Sequence, residues 1–178
     1  VFLKKNMKNK LLPIFITSVF IIIFVFFYRG LKNTNIYTPE IKINNKIPTF
    51  RGDLFYSNQV VNSSNIFKSD KYYLLNIWSS WCVPCRKEHA LLMNLMENKK
   101  IEVVGINYKD TKLNAENFLS ELGNPYEKII FDKEGIIAIE WGAYGVPESF
   151  LIKDGIILKR YIGPLDKKLT KEIKLIIK

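Results

Sequence analysis

Two cysteines, Cys82 and Cys85, stand three positions apart and are the only cysteines in the chain. At this spacing on the first turn of a helix, two sulfurs lie close enough to form and resolve one disulfide. The pair follows the run 72–78, which is short, apolar and rich in aromatics, as a buried strand is. It precedes the stretch 86–98, where Leu91, Leu92, Leu95 and Met96 recur at helical spacing. The junction of strand and helix matters chemically, because a helix N-terminus has unpaired N–H groups and a partial positive charge that favour a thiolate. Cys82 is therefore expected to be the exposed nucleophile, and Cys85 the shielded thiol that resolves the mixed disulfide. Pro84 fits the first turn, since its missing N–H has no helical partner there. Two cysteines are too few for a disulfide framework, and with the single His89 they fall short of a closed structural zinc site.

The elements that must position this pair can be read in order. Residues 101–106 form a second buried strand, 111–122 an amphipathic helix closed by Gly123, and 128–131 a short strand followed by a turn at 132–135. A brief helical patch through Trp141 leads to Gly145-Val146-Pro147-Glu148. Strands 149–153 and 156–162 join at Asp154-Gly155, a hairpin signal, and Asp166 can cap a last helix with Leu169, Ile173 and Ile176 inward. Weak strand candidates lie near Phe50 and Val60. The pattern predicts an α/β domain over 47–178, with one central mixed sheet flanked by helices on both faces and an antiparallel hairpin at its end.

Before that domain the chain has a different character. Residues 11–28 are uncharged and almost wholly apolar, and as a helix they would span about 27 Å, close to the hydrocarbon core of a bilayer. A buried core helix would show a polar face, and a cleaved signal peptide would show small residues after the apolar run, where this chain has Tyr28-Arg29-Gly30-Leu31-Lys32. A retained anchor is the expectation, preceded by a basic cytoplasmic tail at 1–10 and followed by a polar linker at 29–46. The four lysines ahead of the span keep the N-terminus cytoplasmic and send the domain across the membrane. The net charge of +10 has the same local origin. Residues 1–32 hold six basic and no acidic residues, leaving 21 basic against 17 acidic, or +4. No basic run interleaved with aromatics follows, so no nucleic-acid partner is expected.

The domain resembles the thioredoxin superfamily. Trp81-Cys82-Val83-Pro84-Cys85 matches its active-site motif, and Val146-Pro147 matches the loop that carries its cis-proline. Three stretches resemble more closely the CcmG/DsbE family, the membrane-tethered periplasmic reductases of cytochrome c maturation. They run from Asn76 to His89, from Gly105 through Asn107 and Tyr108 to Asp110, and from Trp141 to Phe150. Ser79 and Ala90 stand where members of that family often have Ala and Pro. The resemblance implies a thioredoxin-like fold on a single-pass anchor in the bacterial inner membrane, with the catalytic domain in the periplasm. The implied substrate is apocytochrome c or its maturation thiol chaperone. Electrons would come from a membrane reductase of the DsbD or CcdA kind, and no cofactor beyond the redox-active Cys82–Cys85 disulfide is implied.

Two acidic residues join the cysteines as candidates. Glu88 lies one helical turn after Cys85, and Glu148 follows Pro147. A carboxylate near a thiol raises its pKa or accepts its proton. Trp81, Val83, Pro84, Val146, Asn107 and Tyr108 are the expected lining of a groove for the partner polypeptide, while His89 is expected to be a helix residue with no catalytic part. Related reductases of the ResA and TlpA kind, which serve copper-site proteins of cytochrome oxidase, are the nearest alternative. A tethered Cu(I) chaperone is an alternative of another class. It would need Met or His ligands, and the chain has three Met, two of them (Met93, Met96) assigned to the core face of the helix.

Overall fold

The computed structural model describes residues 3–32, 43–57, 59–68 and 71–178. Two units can be distinguished, Val1–Tyr37 and Thr38–Lys178. The first is one helix, α1 (Leu3–Lys32), within which Leu11–Gly30 has a mean hydropathy of 2.7. That segment is long and apolar enough to cross a membrane by length and composition. Its aliphatic hydroxyls are turned back on the backbone: Thr17 donates to the carbonyls of Pro13 and Ile14, and Ser18 to that of Phe15. Few polar groups thus face outward from an apolar surface.

The second unit is built on one sheet. Strands β3 (Tyr72–Trp78), β4 (Ile101–Tyr108) and β5 (Lys128–Asp132) are parallel, as the alternation of strand and helix predicts. Strand β6 (Glu148–Lys153) runs antiparallel to β3, and β7 (Ile156–Ile162) antiparallel to β6. The connection at Asp154-Gly155 has positive φ at both residues, 53° and 70°, as a two-residue hairpin turn of the mirror-image type requires. The weak candidates also form strands. β1 (Arg51–Leu54) and β2 (Val60–Asn62) make an antiparallel hairpin against β5, which completes the order β2-β1-β5-β4-β3-β6-β7.

Side chains of β3 alternate between two cores. Leu74 and Trp78 join residues of α3 (Val83–Met96), α4 (Lys112–Leu122) and α6 (Lys167–Ile176) on one face. Tyr73, Leu75 and Ile77 face the other side, with residues of α2 (Ser63–Ile66) and α5 (Ile136–Glu140). Asn76, the polar exception in this strand, therefore points at α3. The short helices are held by specific caps. Asp132 accepts the N–H groups of Ile137 and Ala138, and Thr111 and Asp166 cap α4 and α6.

The structure corrects two boundaries and one side-chain placement. Helix α3 begins at Val83, earlier than the apolar pattern shows, because its first inward residue is Cys85. Met96 is 43 % exposed and leaves the core face, since the inward stripe runs Cys85, Glu88, His89, Leu92, Leu95. The end of the expected linker belongs to the domain: Asn44 and Ile47 donate to the carbonyls of Ile157 and Gly155, and Lys46 bridges Ile156.

Gly105 pairs with Asn76 in register and leaves room for two rings. Trp78 and Tyr126 stack with centroids 5.3 Å apart, and a Cβ on Gly105 would lie 2.8 Å from Trp78 Nε1 and 3.0 Å from the Tyr126 ring. Gly105→Ala is expected to destabilise the domain by about 1–3 kcal/mol in urea unfolding, although alanine suits a strand better than glycine. Wild-type stability in that variant would mean the stack yields without cost.

Candidate active site

Strand β3 ends at Trp78, and four residues later Cys82 is the N-cap of α3, with φ −86° and ψ 106°. The structure holds Cys82 and Cys85 as a disulfide, S–S 2.02 Å, with Cα atoms 5.3 Å apart. The backbone N–H of Cys85 donates to Cys82 Sγ at 3.1 Å. The orphan N–H of the first turn thus points at the sulfur of Cys82, where a thiolate would carry its charge. The expected contrast in exposure is not found in this disulfide form: Cys82 is 3 % exposed and Cys85 2 %. The N-cap position tucks the Cys82 sulfur against the first turn, so the two cysteines differ in hydrogen bonding and not in access.

The turn between strand and helix is clamped by Asp110, a residue the sequence presents only as part of a longer motif. Its carboxylate accepts from Ser80 N–H at 2.6 Å, Ser80 Oγ at 2.8 Å, Ser79 Oγ at 3.1 Å, Asn107 Nδ2 at 3.1 Å and its neighbour Thr111 N–H at 2.8 Å. Burial pushes this carboxyl up, and the Ser80, Asn107 and Thr111 donors more than offset it, holding it below the usual carboxylate range. Alongside, the Trp81 indole donates to the carbonyl of Lys109 at 3.0 Å. Parallel pairing of β3 with β4, Trp78 opposite Asn107, is what brings these two loops together.

On the other side of β3, register places Glu148 opposite Ile77, so the start of β6 lies beside the strand end that leads to the cysteines. The Val146–Pro147 peptide there is cis. Glu148 is buried, and both of its oxygens are engaged. One accepts from Tyr144 N–H at 2.5 Å and Gly145 N–H at 3.2 Å. The other accepts from Arg160 Nε at 2.9 Å and Nη2 at 2.7 Å. Arg160, on β7, also donates to the Gly142 carbonyl at 2.8 Å and lies over the Tyr144 ring at 4.6 Å. Sequence reasoning missed Arg160, for which only a basic residue twelve positions on could have served as a signal. The pair locks the 142–148 loop and compensates the charge of Glu148.

Among the described residues, Glu88 has no such cation. It is 1 % exposed on the inward stripe of α3, accepting from Asn76 Nδ2 at 2.9 Å and from Leu165 N–H at 2.6 Å. Asn76 also donates to Ser149 Oγ at 3.0 Å and accepts from the Tyr126 hydroxyl at 2.9 Å. Burial is the largest influence and lifts Glu88 from 4.5 to about 7, against the lowering pull of Leu165 and Asn76. His89 turns away, its Nε2 hydrogen-bonded to the Gly123 carbonyl at 2.9 Å and its ring edge-on to Phe118. Burial first, and Arg86 second among the lowering influences, keep it below its ordinary value, while the Gly123 contact opposes them.

Of the expected partner lining, Trp81 and Val83 are 56 % and 64 % exposed, Pro84 is exposed, and Val146 and Tyr108 are half-buried. Asn107 is fully buried and hydrogen-bonded to Asp110, so it supports the loop and offers no surface to a partner. Among the described residues, no three His, Cys, Asp or Glu side chains gather as metal ligands.

Residues 42–174 match the Redoxin family. The thiol:disulfide interchange protein DsbE of Escherichia coli (strain K12) is 39 % identical over 131 residues, covering 73 % of this chain and 70 % of that protein. The thiol:disulfide interchange protein CycY of Rhizobium leguminosarum bv. viciae is 50 % identical over 95 residues, 53 % of this chain and about half of that protein, 51 %. Among solved structures, a DsbE-type thiol:disulfide interchange protein from Chlorobium tepidum superposes with a TM-score of 0.66 at 27 % identity, covering 78 % of this chain and all of that one, 100 %.

Two outcomes follow from the acidic residues. Arg160→Met leaves a buried carboxylate without its cation and is expected to cost about 3–5 kcal/mol in denaturant unfolding, part of it recovered by adding Glu148→Gln. A single variant as stable as the wild type would show that the pair does not hold the loop. For Glu88, the folded chain binds the proton more tightly than the unfolded chain. The stability it contributes is complete below about pH 4.5 and is lost as pH rises through about 7. Glu88→Gln is expected to flatten the stability–pH curve across that window by up to about 3 kcal/mol, measured by unfolding at a series of pH values. An unchanged curve would reject the raised pKa.

Proposed function

The chain belongs to the Redoxin family, among its thiol:disulfide interchange proteins, and on that premise we propose that it reduces the haem-binding cysteines of apocytochrome c, or those of a thiol chaperone that carries them. Residues 11–28 anchor it in the bacterial inner membrane, and the domain works in the periplasm. One observation supports the direction of the reaction: the buried carboxyl of Glu88 lies one turn after Cys85 on the same inward face, while the first-turn N–H received by Cys82 Sγ bears only on which sulfur attacks. The helix end makes Cys82 the better nucleophile. A carboxyl beneath the helix disfavours negative charge on the sulfurs, and a reduced form that is poorly stabilised gives up electrons readily.

In the reduced enzyme the Cys82 thiolate attacks one sulfur of the substrate disulfide, and the other sulfur leaves as a thiol after taking a proton. Cys85 then loses its proton to the Glu88 carboxylate and attacks Cys82 Sγ. The Cys82–Cys85 disulfide forms, and the substrate departs with both thiols free to react with haem. A pKa near neutrality suits Glu88 to this transfer, because it can accept the proton and release it again. Glu148, already paired with Arg160, serves instead to set the loop carrying Val146 and Pro147 beside the cysteines. The exposed faces of Trp81, Val83 and Pro84 offer the apolar surface for the partner chain. Electrons return through a membrane-spanning reductase of the DsbD or CcdA kind, since the periplasm supplies none.

Cys85→Ala stalls the exchange at the mixed disulfide on Cys82. Mass spectrometry of the captured species is expected to find an apocytochrome c or its thiol chaperone. A copper-site protein of cytochrome oxidase in its place would redirect the reading to the ResA and TlpA kind. The reduction potential of the wild-type pair, titrated against glutathione, is expected nearer the roughly −270 mV of thioredoxin than the roughly −120 mV of DsbA, and a value at the oxidising end would sink the reductase direction.

A further inference from the structure

We propose that Lys109 is a positioning residue: its left-handed backbone aims its carbonyl at the Trp81 indole and pins that ring as a wall beside Cys82, against which a partner polypeptide docks. This rests on the reading above, in which Trp81 lines the partner surface and Cys82 attacks. Lys109 follows directly on β4 and has φ 44°. Among the described residues, the other non-glycine positions with positive φ are Asn44 and Asp154. Asn and Asp tolerate this conformation because a short polar side chain can bond the nearby backbone, and lysine has no such means. An unfavourable conformation of this kind persists where its surroundings impose it.

The surroundings of Lys109 do impose it. Its N–H donates to the Asp132 carbonyl at 3.0 Å, and its own carbonyl accepts from Trp81 Nε1 at 3.0 Å. Gly135, with φ 76°, makes room for the bend: a Cβ there would lie 2.6 Å from Lys109 Cε and 2.6 Å from Tyr108 Cε2. The Lys109 ammonium is laid over the Tyr108 ring, 5.3 Å from its centroid. A residue in the β or right-handed α region would rotate the following peptide and take its carbonyl off the indole. Trp81 is 56 % exposed and adjoins Cys82 in the chain. An indole has one donor, and with that donor held by Lys109 the ring keeps one orientation and presents its apolar face. A wall already in place spares a docking polypeptide the entropy of ordering it. A disulfide small enough to reach Cys82 without touching Trp81 gains nothing from it.

The test uses the reduced full chain in detergent micelles with two oxidants, hydroxyethyl disulfide and a short peptide closed by a Cys-x-x-Cys disulfide. The quantity read is the ratio of the peptide rate to the small-disulfide rate. Lys109→Val, whose branched side chain resists positive φ, is expected to lower that ratio about fivefold. Its Trp81 indole N–H is expected to exchange with water at least about tenfold faster, followed by nuclear magnetic resonance. Lys109→Asn, which tolerates positive φ, is expected to restore the wild-type ratio and the slow indole. Trp81→Phe keeps a ring, loses the donor and leaves Lys109 in place. It is expected to lower the ratio to a similar degree, and this arm decides the matter if the valine variant does not fold. The double variant Lys109→Val with Trp81→Phe is expected to fall no further, since both changes remove the same hydrogen bond. An unchanged ratio in Trp81→Phe, or a fall in Lys109→Asn equal to that in Lys109→Val, would overturn the proposal and leave the reductase reading intact. A wild-type chain that reduces neither oxidant would overturn both.

Discussion

The hydrogen bond from the Cys85 N–H to Cys82 Sγ is the contact on which the rest of the site depends. It exists only if the chain stops being a strand at Trp78 and is helical by Val83, so that the first orphan donors of α3 converge on one sulfur. Four residues must turn the backbone within that interval, and their geometry is not left to them. The carboxylate of Asp110 grips the turn through the Ser79 and Ser80 hydroxyls and the Ser80 N–H, and the carbonyl of Lys109 takes the Trp81 indole. Those grips come from the loop after β4, which reaches the turn because β3 and β4 pair in parallel and in register. The redox pair is thus set by the sheet as much as by its own four-residue spelling.

Two glutamates that look equivalent along the chain end in opposite electrostatic settings. Both are buried to about the same degree, yet Glu148 meets a guanidinium and two backbone N–H groups, whereas Glu88 meets an amide and one N–H. A buried carboxyl with only dipoles around it is drawn toward its neutral form, whereas one gripped by a guanidinium is held in place by paired hydrogen bonds. Glu148 accordingly stabilises the loop that carries Pro147, and Glu88 is left with a proton equilibrium near neutrality. Two side chains of the same type are thus given different environments by their surroundings.

The sheet also separates the redox pair from the segment through which the N-terminal side of the chain joins the domain. Parallel strands collect their C-terminal ends, and the loops after them, at one edge, and the cysteines, Asp110 and the capping Asp132 all lie there. The antiparallel β6–β7 hairpin turns at the other edge, and there the segment Asn44–Ile47 adds to the sheet. The cysteines and this point of entry therefore sit about one strand length apart.

Much of this was already present in short-range patterns. The cysteine pair between an apolar run and a helical stripe, the Asp154-Gly155 hairpin, the Asp166 cap and the apolar span before the domain all follow from spacings of a few residues, where backbone geometry alone decides. The order of those elements was enough to predict a mixed sheet with helices on both faces. What tertiary structure decided was environment. Arg160 finds Glu148 because β6 and β7 are neighbours, Asp110 finds Ser79 because β4 lies beside β3, and Asn76 finds Glu88 because α3 packs on that face. Neither the buried place of Asn107 nor the loss of Met96 from the core face was legible, because helix register and burial depend on what covers a residue. Residue identity and local spacing set which reactive groups exist and roughly where they stand. Whether each is charged, neutral or paired depends on desolvation and on partners distant in sequence, and only the folded chain supplies these.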